Sequence, residues 1–223
     1  MRFAHVSRCL QLTSLLAAFA VAGCSSSSGG SSGAGGSGDD EVCKSGKEAA
    51  FANPAGTPFT LPAGITLDGE PTSDIDAACP SKDVLENGGD VIQLCIRLKN
   101  TTTAPIEVTF PAGLAFIAKN PATMNGLILH SHVVKVPAGD VAQVYFRTFS
   151  LNRSCTGSVP ADRYAIGNVV SDSRIRELVM LASTKRIDGD IGTYTLGLMV
   201  WDITNDNGIT DEHRAQLKNA PDL

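Results

Sequence analysis

His130-Ser131-His132 is the pair of side chains in this sequence best spaced for chemistry. On a β-strand, residues i and i+2 share a face, so two imidazoles there can meet one metal ion or one polar ligand. No third ligand stands nearby. Val133, Val134, Lys135 and Val136 follow, and His213 lies far along the chain on a helical pattern. Two ligands make a weak metal site. The expectation is therefore a hydrogen-bonded or solvated role, with a metal site at His130 and His132 as the alternative. Asn205, Asp206, Asn207 and Asp211 supply oxygens, but a calcium loop with Gly208 at its sixth position would put Ile203 first and Arg214 last. Both places need acidic residues, so a turn and a helix cap explain the segment better. Ser154 and Ser158 flank Cys155 without a local base, and no Gly-x-Ser-x-Gly turn occurs. Trp201 sits on an apolar segment and reads as core. No residue is assigned a catalytic role and no cofactor is implied.

The elements that must carry these residues begin with an address. Arg2 and Arg8 precede an apolar run over residues 10–22, and small residues Ala22 and Gly23 lead into Cys24. That is the layout of an export signal, too short in its apolar part to span a bilayer comfortably. Val21-Ala22-Gly23-Cys24 resembles the lipobox of bacterial lipoproteins at all four places. The resemblance implies cleavage between Gly23 and Cys24, and acylation of Cys24, which would hold the mature chain on a lipid bilayer. Several acyl chains anchor stably where one does not. Ser25, rather than Asp, follows Cys24, which by the same resemblance implies the outer membrane in a cell with two membranes.

Residues 25–38 are Ser, Gly and one Ala, a flexible tether with nothing to build a core. With Asp39 and Asp40 it reaches about 20–24 Å. Loss of Arg2 and Arg8 takes the net charge of the chain from −5 to −7, which argues against nucleic acid as a partner. The sequence thus divides into a leader (1–23), the acylated cysteine and tether (24–40), and one folded domain (41–223). That domain holds Cys43, Cys79, Cys95 and Cys155. In an oxidising compartment these form two disulfides, whose pairing the sequence leaves open.

Residues 57–151 read as β. Ile92, Leu94, Ile96 and Leu98 alternate with Gln93, Cys95, Arg97 and Lys99, so Cys95 needs a partner lying over the polar face. Residues 105–110, 127–136 and 141–151 are further strands. Leu61-Pro62-Ala63-Gly64, Phe110-Pro111-Ala112-Gly113 and Val136-Pro137-Ala138-Gly139 repeat one apolar-Pro-Ala-Gly device, read as a tight turn between strands. The region 165–220 reads as helical. Asp172 caps an amphipathic helix over 172–184, residues 188–190 turn, 193–203 form an apolar helix, and Thr210 caps a last one. The expected fold class is α+β: an antiparallel β-sandwich, Ig-like or related, followed by two to three helices.

Two further resemblances bear on function. His130-x-His132 with Pro137-Ala138-Gly139 resembles pieces of the cupin motifs, but that family's Glu has no counterpart after His132, and Ala142 and Gln143 occupy the region of its last histidine. The stretch 90–223, through PAGLAF, NGLIL, the VPAG turn, SLN, a tyrosine loop and VWDITNDNGITDEHRAQL, resembles an uncharacterised group of secreted and surface bacterial proteins. That group implies a β-sandwich-like part before a helical one and carries no activity over. The sequence therefore points to a membrane-anchored envelope lipoprotein acting as a non-enzymatic interaction or structural module toward an envelope protein or ligand. The alternatives are metal binding at His130 and His132, and a small-ligand site at the seam of the β and helical parts.

Overall fold

The computed structural model describes residues 43–80, 84–186 and 192–223. The leader, the Gly23–Cys24 junction, the tether and the 188–190 turn lie outside them. A 3-10 helix (Gly46–Phe51) comes first. Ten strands follow: β1 (Gly56–Pro58), β2 (Ile65–Leu67), β3 (Val84–Asn87), β4 (Ile92–Asn100), β5 (Ile106–Phe110), β6 (Leu114–Ala118), β7 (Gly126–Leu127), β8 (His132–Val136), β9 (Val141–Ser150) and β10 (Tyr164–Val170). The helices are α1 (Ile75–Ala78), α2 (Ser173–Ala182), α3 (Gly192–Thr204) and α4 (Asp211–Asn219).

The class is α+β with mostly antiparallel strands, in one curled sheet of order β1-β10-β6-β7-β9-β4-β2. β3 lies parallel to β9 off that path, and β5 and β8 form a separate two-stranded ribbon. Alternation along the strands feeds two cores. Leu94, Ile96, Phe116 and Phe146 pack with Val108, Phe110 and Val136 of the ribbon. On the other side Ala115, Leu127, Phe149 and Leu151 pack with Ile175 and Leu178 of α2, Leu196, Met199 and Ile203 of α3, and Leu217 of α4. The helices thus cover one face of the sheet.

The local signals explain much of this. The three Pro-Ala-Gly turns each close with a hydrogen bond to the proline carbonyl, from Ile65, Leu114 and Asp140, and their glycines hold φ of 86°, 82° and 68°. Only the glycine-favoured left-handed region serves there. Asp172 caps α2 by accepting from the Arg174 and Ile175 amides. Thr210 and His213 form a reciprocal capping box on α4. Cys95 finds Cys79 at the end of α1, which covers the polar face of β4, and Cys43 pairs with Cys155, with Cα separations of 5.8 and 4.7 Å. Residues 193–203 are helical, within α3.

Two expectations are corrected. The single strand over 127–136 is two, because beyond β7 only Ile128 still bonds to Gly113 and Leu114, and strand pairing resumes at His132. The amides of Leu129 and His130 are satisfied there by a side chain, described below. The region after 165 is not wholly helical: β10 pairs with β1 and β6. Its register slips between Ile166 and Val169, and this irregularity breaks the period-2 pattern that would betray a strand. At Gly167 a Cβ would lie 3.0 Å from an Ile117 side-chain carbon and 3.1 Å from the Ala115 carbonyl, so any side chain there would press on β6.

Candidate functional site

His130 and His132 do converge, but through a residue that local spacing cannot supply. Glu86, on β3, is 2 % exposed and sits between them. Parallel pairing to β9, with Glu86 opposite Phe146, puts its carboxylate at the gap where residues 129–131 lie between β7 and β8. The carboxylate then does the work of a missing strand neighbour. Its Oε1 accepts from the Leu129 amide at 3.3 Å and its Oε2 from the His130 amide at 3.2 Å. His130 Nδ1 donates to Oε1 at 3.2 Å, and His132 Nε2 to Oε2 at 2.6 Å. Four donors saturate the two oxygens.

The protonation of His130 follows from its surroundings. Nδ1 faces the carboxylate, and Nε2 lies 3.1 Å from the Ala182 carbonyl and 2.9 Å from that of Lys185. Carbonyls and a carboxylate only accept, so both ring nitrogens carry protons and the ring is an imidazolium. Burial pushes the His130 pKa down, but the hydrogen bond and charge of Glu86 outweigh it and raise it above 6.5. Burial likewise pushes Glu86 up, and the two histidines outweigh it and hold the carboxyl below 4.5. The cation also sits at the C-terminal end of α2, where the helix dipole favours it. His130 therefore ties the sheet to the helical layer. Lys185 extends the tie, its ammonium meeting Asp222 at 2.6 Å and the Ala220 carbonyl at 3.2 Å.

An open cleft of about 610 Å³ lies over this centre, lined by β3, by residues 130–132, by Arg147 and by Leu223. Among the described residues no helix residue lines it; it borders the helical part through Leu223, whose amide donates to the Thr184 carbonyl, and through His130, which meets the Ala182 and Lys185 carbonyls. A smaller cleft of about 310 Å³ adjoins it, sharing Val84 and Arg147 and carrying Asp74 and Asp76.

The other sequence candidates lie elsewhere. The Ser154 hydroxyl is taken by the Glu48 carboxylate and the Cys43 carbonyl. Ser158 accepts from the Gln93 amide at 3.1 Å. Asp206 pairs with Arg174 and Asp211 with Arg214, so the oxygens of the 205–211 segment serve separate partners. Trp201 is half-buried rather than fully core, with the Arg153 guanidinium 5.3 Å from its ring centre. Among the described residues, no group of three His, Cys, Asp or Glu side chains is arranged to hold a metal ion. No family model, curated protein or solved structure matches this chain.

Proposed function

We propose that this chain is an exported, lipid-anchored envelope protein whose folded domain is a non-enzymatic binding module, with its ligand site in the seam between the β part and the helices. The observation that carries the binding reading is the 610 Å³ cleft floored by Glu86, His130 and His132. A volume of this size suits a small molecule. The polar floor is held rigid by hydrogen bonds from three backbone and side-chain directions, which favours recognition over proton shuttling. Glu86 has no free lone pair to offer and His130 no free ring nitrogen. The metal alternative at His130 and His132 would need His130 to lose a proton and give up either Glu86 at Nδ1 or the Ala182 and Lys185 carbonyls at Nε2.

The anchoring reading rests on the lipobox-like Val21-Ala22-Gly23-Cys24, and the two disulfides support an oxidising compartment. Among the described residues no helix is long and apolar enough to cross a membrane, which fits an anchor of acyl chains. The accompanying fold reading is a sandwich related to the Ig type, supported by the way the β5–β8 ribbon packs against β4 and β9.

Anchoring is tested by detergent-phase partitioning of the full chain expressed with its leader. Wild type is expected in the detergent phase and Cys24→Ser in the aqueous phase. Equal partitioning of the two would remove the anchor from the account.

A further inference from the structure

We propose that the seam cleft takes a small anionic ligand, its oxyanion group seated on the Arg147 guanidinium; the proposal rests on the seam being a ligand site. Glu86 is saturated by four donors and balanced by the His130 imidazolium beside it, so this pair offers an incoming ligand neither a free acceptor nor net charge. Among the described lining residues the guanidinium that remains is Arg147, with Asn87, Ser131 and His132 as polar neighbours and Val84 and Leu85 as the apolar wall.

Arg147 is prepared for this role. Its Nε donates to the Tyr145 hydroxyl at 3.2 Å, and that hydroxyl donates to Gln93 Oε1 at 2.8 Å. The guanidinium plane is thereby fixed, and a planar fork of donors is well suited to carboxylate or phosphate. Its Nη1 meets Asp90 at 3.1 Å, but the Asp90 side chain is 76 % exposed. Such a pair is solvent-screened and weak, so a ligand oxyanion can displace it. The adjoining cleft carries Asp74 and Asp76. Their charge steers the anionic end toward the histidine side of Arg147 and away from the α1 side.

Carboxylate and phosphate share this chemistry, and the probes separate them. Isothermal titration of the full chain at low ionic strength would use citrate, inorganic phosphate, glucose and choline. At least one of citrate and phosphate is expected to bind saturably, and whichever binds identifies the oxyanion. Arg147→Met is expected to weaken that binding at least tenfold with the fold retained by circular dichroism, since the Arg147 side chain is 35 % exposed and methionine keeps its apolar stem. Asp90→Asn, which removes the competing carboxylate, is expected to tighten it about two- to fivefold. A purely structural role for Arg147 would not give that tightening. Silence of both anions, or equal affinity in wild type and Arg147→Met, overturns the proposal. Binding of glucose or choline with the anions silent overturns the anion assignment while leaving the seam as a ligand site.

Discussion

Replacing Cys43 and Cys155 by alanine is expected to lower the stability of the folded domain by about 4–5 kcal/mol, a fall in Tm of roughly 8–20 °C for a domain of this size. The bond spans 112 residues, and closing so long a loop removes much of the freedom of the unfolded chain. The Cys79–Cys95 bond spans only 16, for which the same reasoning gives about 3 kcal/mol. The long bond also secures the start of the described chain. Glu48, 5 % exposed, accepts from the Arg153 amide at 2.8 Å and the Ser154 amide at 3.3 Å, and Phe51 sits in the helical-side core. Without the disulfide this segment can peel away together with its buried carboxylate. Thermal unfolding in oxidising buffer checks the figure. A double variant melting within a degree or two of wild type would show that the other contacts hold the segment alone.

Glu86→Gln is expected to cost about 3–5 kcal/mol, because removing one partner of a buried ion pair leaves the other charge uncompensated. Glutamine also turns an amide N–H₂ toward donors that need an acceptor. The pH dependence gives a second readout with a definite sign. The folded pKa of His130 is raised above 6.5, so its contribution is complete below that value and lost as pH rises through the folded pKa. The folded pKa of Glu86 is lowered below 4.5, so its contribution is complete above that value and lost as pH falls through the folded pKa. These two groups therefore support the fold fully between pH 4.5 and 6.5 and less on either side. The gap in Tm between wild type and Glu86→Gln is expected to be widest in that window and to narrow as pH rises above it. A constant gap from pH 5.5 to 9 would contradict the imidazolium assignment.

The histidine pair was legible in the sequence, and the residue that organises it was not. His130 and His132 stand out by spacing, yet Glu86 lies 44 and 46 positions earlier in a four-residue strand with little pattern of its own. It reaches them through a parallel pairing, which brings together segments that no hairpin joins and leaves no short-range trace. The same holds for the break between β7 and β8. Residues 127–136 have the composition of one strand, and only the carboxylate that takes up the Leu129 and His130 amides makes the interruption tolerable. Where the decisive contacts are local, the sequence spoke plainly. The Asp172 and Thr210 caps, the Pro-Ala-Gly turns and the alternation of β4 all depend on neighbours within four residues. Cys95 is intermediate: its place on the polar face implied a covering element, but the identity of that element, α1, required the fold. β10 was hidden by its own bulge.

The seam as a ligand site is tested most directly by NMR on the full chain. The side-chain signals of His132 and Arg147, and the backbone signals of residues 84–87 and 130–132, would be followed through a panel of small acidic, neutral and basic compounds. Saturable shifts confined to these positions are expected from at least one compound. No shift at these positions from any compound, or shifts that map instead to the Arg153–Trp201 contact, would contradict the assignment of the site.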